Sequence, residues 1–114
     1  MPVDKVYLFK DCKLGPDAEL GHKLIRGFLK NLSIAEDVPK CMFFSNDGAK
    51  LVFTDDETLL EPLRKLQERG VDIAVCNTCI QFYNFDGSKI PVGRIGTAPE
   101  FVKWTLTLDV VTVC

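Results

Sequence analysis

The sequence predicts an α/β protein in which a mostly parallel, five-stranded sheet is covered by helices on both faces. Apolar runs of strand length alternate along the chain with apolar stripes at helical spacing, in the order β-α-β-α-β-α-β-α-β. The strand segments are apolar throughout rather than at every second residue, as is typical of parallel strands buried between two layers. We expect residues 1–114 to form a single domain, because this length is sufficient for one hydrophobic core.

Five segments have the composition and length of strands. They are residues 6–9, 41–45, 71–75, 90–95 and 109–113. The third is rich in β-branched side chains and follows Gly70, a residue type that commonly ends the preceding helix. Pro91 and Gly93 interrupt the fourth, which makes it the weakest of the five predictions.

The first two helices are predicted from their starting residues. Asp17 opens a helix whose apolar side chains recur at helical spacing. Thr58 and Glu61 fit a capping box for the second helix, with Pro62 in its first turn.

A short third helix is predicted from Cys76 to about Tyr83, and Thr97 and Glu100 fit a capping box for the fourth. The side chains expected to form the buried face of this last helix are Phe101, Val102, Trp104, Thr105 and Leu108.

Cys76 and Cys79 are the candidate catalytic residues. Cys76 ends the third strand and begins a helix, where free backbone N–H groups favour a thiolate. Cys79 follows one helical turn later, close enough to form a disulfide or to resolve an intermediate. The competing interpretation is that both are small buried apolar residues, a common role of free cysteine.

Other candidate residues follow the first two strands, at the edge of the sheet where sites of open parallel sheets lie. We expect Cys12, after the first strand, to lie near Cys76 and either to line a pocket or to end the strand. Asn46 and Asp47 follow the second strand and suit a turn, with Gly48 at a positive φ. Lys50 is a candidate for lowering a thiol pKa through its positive charge.

Cys41 and the histidine have simpler predicted roles. Cys41 begins the second strand, at the end opposite the site, and is expected in the core. His22, the single histidine, is expected on the solvated side of the first helix.

Composition excludes several classes of partner. A net charge of −2 gives no reason to expect nucleic acid or an anionic membrane surface. No apolar run has the length of a membrane span, and the N-terminus lacks the pattern of a signal peptide, so we expect a cytoplasmic protein. The five cysteines are scattered, which indicates free thiols, and one close cysteine pair supplies only half of a zinc site. No metal and no cofactor are therefore expected.

Three motifs together resemble a known family. They are LGPDAELG at residues 14–21, FSNDGAKL at 44–51 and RGVDIAVCNTC at 69–79. In this order they resemble DsrE/DsrF-like proteins, and most closely the C-terminal DsrE-like domain of YedF-type proteins, which are described as sulfurtransferase-like and associated with selenium metabolism.

The resemblance implies a three-layer α/β/α fold, flavodoxin-like in outline, and often a homo-oligomer. It also implies that Cys76 corresponds to the cysteine that holds persulfide sulfur in sulfur-relay systems, and Cys79 to the second cysteine of YedF-type proteins. Because longer relatives carry a TusA-like domain, it implies that a TusA-like domain or a desulfurase acts in trans as donor or acceptor.

The sequence leaves three functional hypotheses. The first is a sulfur or selenium carrier that holds a persulfide on Cys76 for transfer to a protein partner. The second is a dithiol–disulfide oxidoreductase that uses Cys76 and Cys79 as a CxxC pair. The third is a non-catalytic oligomeric module whose cysteines only fill space.

Overall fold

A computed structural model describes residues 2–114 and confirms the alternating α/β architecture. The strands are β1 (Pro2–Phe9), β2 (Val38–Phe44), β3 (Asp72–Cys76), β4 (Arg94–Gly96) and β5 (Asp109–Thr112). The helices are α1 (Ala18–Ser33), α2 (Glu57–Glu68), α3 (Asn77–Phe82) and α4 (Ala98–Thr107), with single 3₁₀ segments at Asn46–Leu51 and Gly87–Lys89. No helix within residues 2–114 is both long and apolar enough to cross a membrane.

The strands form one parallel sheet in the order β4-β3-β2-β1-β5. The chain therefore steps in one direction from β1 to β4 and then returns across the whole sheet to pair β5 with β1. Crossovers between parallel strands are right-handed, so a reversal of direction moves the connecting helix to the other face. Accordingly α1, α2 and α3 lie on one face, and α4 lies on the opposite face.

Side chains of β2 separate into two cores because successive residues of a strand point to opposite faces. Met42 and Phe44 belong to the larger core, under α1, α2 and α3. Phe44 stacks on Phe9 of β1 with ring centroids 4.7 Å apart. Cys41 and Phe43 belong to the smaller core, under α4. The predicted core position of Cys41 is confirmed, and only 7% of its surface is exposed.

Three of the four predicted helix starts are confirmed, and one of these is Cys76, the N-cap of α3. The Asp17 carboxylate accepts the backbone N–H of Leu20 at 2.8 Å and caps α1. The Thr97 hydroxyl accepts the backbone N–H of Glu100 at 3.4 Å and caps α4. Both side chains satisfy a backbone donor that has no partner within its helix.

The capping box predicted at Thr58 is wrong. Asp56 is the capping residue of α2, and its carboxylate accepts the backbone N–H of Thr58 at 3.0 Å. The Asp56 carboxylate accepts a hydrogen bond from a free N–H group at the start of the helix. Its negative charge also interacts favourably with the positive end of the helix dipole. The helix consequently begins at Glu57, and Pro62 lies in its second turn rather than in its first.

The buried face predicted for α4 is wrong in part. Phe101, Trp104 and Leu108 pack on the sheet, but Val102 is 54% exposed and Thr105 is also exposed. The reason is that, within residues 2–114, α4 is the one helix on its face of the sheet, so no neighbouring helix covers its flanks. Leu106, which was not predicted to be buried, is 81% exposed.

A charged cluster fastens α4 to the sheet. The Arg94 guanidinium on β4 donates from Nε and Nη2 to the two carboxylate oxygens of Asp72 on β3, both at 2.9 Å. It also donates to Glu100 on α4 at 2.9 and 2.6 Å. These two carboxylates raise the pKa of Arg94, so the guanidinium stays charged at every ordinary pH.

Candidate functional site

The carboxyl ends of β1 and β2 meet through the 3₁₀ segment Asn46–Leu51. The backbone N–H of Ser45 donates to the carbonyl oxygen of Phe9 at 3.0 Å. Gly48 lies so close to β1 that a Cβ there would be 2.0 Å from the same oxygen. The positive φ predicted for Gly48 is found instead at Asn46, at 52°, so Gly48 is needed for close approach rather than for backbone conformation.

Cys76 and Cys79 lie at the carboxyl end of β3, beside this segment. Cys76 is the last residue of β3 and the N-cap of α3, and its side chain makes no capping hydrogen bond. Cys79 lies in the first turn of α3. Both side chains are half-buried, and the two thiols lie within interaction distance of each other.

The Cys79 sulfur also accepts a hydrogen bond, from the backbone N–H of Asn46 at 3.1 Å. Burial is the largest influence on Cys79 and raises its pKa; the Asn46 amide opposes this shift, and the neighbouring Cys76 sulfur adds to it. Cys79 therefore holds its proton at neutral pH. The Cys79 thiol thus lies between the Asn46 amide, which donates to it, and the Cys76 thiol.

Asp47, Lys50 and Tyr83 form a polar group next to the thiols. The Tyr83 hydroxyl donates to Oδ1 of Asp47 at 2.6 Å. Nζ of Lys50 lies 3.1 Å from the same oxygen and 4.9 Å from the centre of the Tyr83 ring. The Tyr83 hydrogen bond and Lys50 lower the pKa of Asp47, and the Asp47 carboxylate raises the pKa of Tyr83 to about 12.

Lys50 therefore forms its ion pair with Asp47 rather than with a cysteine thiol. Among the cysteines, the charge of Lys50 is a minor influence on Cys12, where it is the smallest of several effects. Burial dominates there and raises the pKa of Cys12, with further contributions from Asp11 and Asp47.

Cys12 lies in the loop after β1 and packs against the larger core. The charges of Cys12 and Cys79 both contribute to the raised pKa of Tyr83, so Tyr83 lies within electrostatic reach of the two cysteines. Nδ1 of His22 is 3.2 Å from the carbonyl oxygen of Cys12. The predicted solvated position of His22 is therefore wrong, because α1 directs this half-buried ring at the Cys12 loop.

The other two cysteines differ in their distance from the site. Cys41 lies on the opposite face, where burial raises its pKa to about 11. Cys114 lies on the site edge, and its thiol donates to the carbonyl oxygen of Asp11 at 3.2 Å.

The sequence indicates Tyr83, with Phe82 and Phe85, as a contact or pocket residue near the cysteine pair, but it does not indicate the bond from Tyr83 to Asp47. A local signal was present, because Tyr83 follows Cys79 by four residues, the spacing of neighbours on one side of a helix. Asn46 and Asp47 bind Cys79 and Tyr83 respectively. Two adjacent residues of the 3₁₀ segment, Asn46 and Asp47, thus bind two residues that lie one helical turn apart, Cys79 and Tyr83.

The site is an edge of the sheet rather than an enclosed cavity. One surface cavity of about 400 Å³ lies between α1 and α2, and another of about 350 Å³ lies beside Phe53 and Pro91. No cysteine lines either cavity. Across residues 2–114, no three His, Cys, Asp or Glu side chains lie close enough together to hold a metal ion.

A family model described as the DsrE/DsrF-like family matches residues 20–113. The chain belongs to the DsrE/DsrF-like family. The match includes Cys76, Cys79, Tyr83 and the Asn46–Leu51 segment, whereas Cys12 lies before it. The family membership suggested by the sequence motifs is thus confirmed.

Two solved structures share the fold of this DsrE/DsrF-like chain. The ychN protein of E. coli matches with a TM-score of 0.65 and 18% identity, over 96% of this chain and 99% of that chain. MTH1491, a protein of unknown function from Methanobacterium thermoautotrophicum, matches with a TM-score of 0.61 and 17% identity, over 95% and 96% of the two chains. At these identities the likeness establishes the fold. No curated protein matches the chain at a significant level.

Proposed function

We propose that this DsrE/DsrF-like protein is a sulfur carrier that holds a persulfide on Cys76 and transfers it to a protein partner. The observation that carries the proposal is the position of Cys76, which ends β3, is the N-cap of α3 and has the Cys79 thiol beside it. The half-buried Cys76 side chain makes no capping hydrogen bond and lies at the open carboxyl edge of the sheet. A thiolate at the N-terminus of a helix is a nucleophile that a partner protein can reach there.

Loading and transfer use the same displacement twice. The Cys76 thiolate attacks the outer sulfur of a donor persulfide, the donor S–S bond breaks, and the donor leaves as a thiolate. Cys76 then carries the S–SH group. An acceptor thiolate attacks the outer sulfur in turn, and Cys76 leaves as a thiolate. Electrons and atoms balance in both steps without a cofactor.

The identity of cargo and partners follows from the resemblance to YedF-type proteins. That resemblance favours a desulfurase or a TusA-like domain as partner, and it admits selenium in place of sulfur because both elements take the same displacement chemistry. The role needs reduced thiols, which favours the cytoplasm.

The test is mass spectrometry of the protein after treatment with a cysteine desulfurase and cysteine. The proposal predicts a reducible gain of one sulfur on the Cys76 peptide, abolished by Cys76→Ala and retained in Cys41→Ala, the matched control on the opposite face. If no cysteine gains sulfur, the carrier function is excluded.

A dithiol–disulfide oxidoreductase is the second candidate, favoured by the direct contact of the Cys76 and Cys79 thiols. Its test is a redox titration against glutathione, followed by the mass of the protein after thiol trapping. A reversible Cys76–Cys79 disulfide without any gain of sulfur would favour this function over the carrier. If neither reaction occurs, the cysteines are structural.

We also propose that the chain forms a homo-oligomer through α4 and β5. Val102 and Leu106 lie one turn apart on α4 and are largely exposed, and Val110 of the neighbouring edge strand is exposed as well. Burial of such side chains in a partner's surface is favourable. Sedimentation measurements should give an oligomer for the wild type and a smaller species for Leu106→Glu. An unchanged monomer in both would exclude this interface.

A further inference from the structure

We propose that Cys79 discharges the persulfide held on Cys76, forming a Cys76–Cys79 disulfide and releasing sulfide. This inference rests on the proposed function, because it needs a persulfide on Cys76. It adds a second outcome to the carrier: sulfur that is not passed to an acceptor leaves as hydrogen sulfide.

The contact between the two thiols supplies the geometry. Cys76 is the N-cap of α3 and Cys79 lies in the first turn of the same helix, so the two thiols are neighbours at the end of β3. In a persulfide the Cys76 sulfur is the inner atom of the S–S bond. The Cys79 sulfur is therefore already next to the atom that it has to attack, and no movement of a loop or domain is needed.

The Asn46 amide supplies the activation. Its backbone N–H is 3.1 Å from the Cys79 sulfur and stabilises the thiolate that acts as nucleophile. This donor is held in place by the neighbouring hydrogen bond from Tyr83 to Asp47, at 2.6 Å. Two parallel contacts thus fix the 3₁₀ segment against α3, one at the reacting sulfur and one a helical turn further along.

The reaction balances without an external oxidant. The Cys79 sulfur attacks the inner sulfur of Cys76–S–SH, the original S–S bond breaks, and the outer sulfur departs as HS⁻. The proton lost by Cys79 converts HS⁻ to H₂S. The persulfide sulfur is reduced as the two cysteines are oxidised to the disulfide. An external dithiol reductant then restores both thiols.

Burial and the Cys76 sulfur keep Cys79 protonated at neutral pH, which makes the discharge slow compared with transfer to a waiting acceptor. The rate should follow the thiolate fraction of Cys79. It should therefore rise by about tenfold per pH unit until the Cys79 thiol is fully ionised.

The experiment loads reduced protein with sulfur from a desulfurase and cysteine, or with inorganic polysulfide, and removes the donor by gel filtration. Released sulfide and the mass of the Cys76 and Cys79 peptides are then followed at several pH values. The wild type and the control Cys41→Ala should lose the added sulfur and release about one sulfide for each disulfide formed, as the displacement requires. Cys79→Ser should keep the persulfide.

The outcomes separate the two proposals. Equal persulfide lifetimes in wild type and Cys79→Ser, or peptide fragment ions that place the added sulfur on Cys79 in place of a disulfide, overturn the discharge and leave the carrier intact. If neither donor adds sulfur to Cys76 in any variant, the carrier fails and the discharge fails with it.

Discussion

The Tyr83 hydroxyl donates to Oδ1 of Asp47 at 2.6 Å. Asp47 is the residue after Asn46, and Tyr83 lies one helical turn after Cys79, to which the Asn46 amide donates. The two bonds run side by side between the Asn46–Leu51 segment and α3. They bind the end of β2 to the helix that follows β3. The Cys76 and Cys79 sulfurs therefore lie in a frame held together by hydrogen bonds between two neighbouring crossovers.

The first prediction concerns the ionisation of Tyr83. Its pKa is raised to about 12 because ionisation breaks the bond to Asp47 and puts a second negative charge beside the carboxylate. Asp47→Asn should bring this pKa down toward 10.0, the ordinary value for tyrosine. Tyrosinate absorbance measures it, in a Tyr7→Phe background that leaves Tyr83 as the one titrating tyrosine of the two in the chain. An identical titration with and without Asp47→Asn would contradict the role of this bond.

The second prediction concerns stability in acid. Tyr83 and Lys50 lower the folded pKa of Asp47 below its ordinary value of 3.8. A lowered carboxyl pKa stabilises the folded state above about pH 4, and this stabilisation is lost as pH falls through the folded pKa. Asp47→Asn should therefore reduce the free energy of unfolding at neutral pH and have a smaller effect at about pH 2. Urea denaturation at the two pH values measures the difference, and an equal effect at both would count against it.

The third prediction concerns Gly48. An alanine Cβ would lie 2.0 Å from the carbonyl oxygen of Phe9, and backbone cannot move aside as a side chain can. Gly48→Ala should therefore lower the free energy of unfolding by at least about 2 kcal/mol. Gly27→Ala is the control, because no atom lies within 4 Å of its added Cβ. That change, within α1, should stabilise the protein by roughly 0.5–1 kcal/mol. Similar unfolding midpoints for the two variants would disprove the close approach.

The fourth prediction concerns Cys41. Its thiol is 7% exposed and has a pKa of about 11, against an ordinary value of 9.0. The thiolate fraction at neutral pH is thus about a hundredfold smaller than that of an ordinary thiol, and access is restricted as well. Iodoacetamide should modify Cys76 in the folded protein and Cys41 only after unfolding in guanidinium chloride. Peptide masses measure both, and equal modification of the two under native conditions would refute the assignment.

Local patterns were sufficient for the sheet and for the placement of Cys76. The strand segments are apolar because both faces are buried, so their number and their parallel direction could be predicted. The carboxyl ends of parallel strands share one edge of the sheet, so the neighbourhood of residues 46–47 and Cys76 followed from topology alone.

Long-range choices could not be predicted from those patterns. The strand order depends on which edge each crossover takes, and no residue of a strand encodes that direction by itself. The pairing of Tyr83 with Asp47 joins two crossovers that are distant in sequence. The spacing of Cys79 and Tyr83 indicates that these two residues are neighbours on α3, but it does not indicate that Asp47 is the partner of Tyr83. The capping of α2 was mispredicted because Asp56 and Thr58 both fit the position and the carboxylate is the more strongly preferred partner.

The return of the chain across the sheet has a consequence for the order in which the protein opens. Strand β1 pairs on one side with β2, the next strand in sequence, and on the other side with β5, which is short, largely exposed and at the far end of the described chain. Amide hydrogen exchange should therefore reach β5 through small local openings and reach β2 and β3 only in global unfolding. The thiols would then survive the fraying of that edge, because every strand that positions them belongs to the slowest-exchanging part of the molecule.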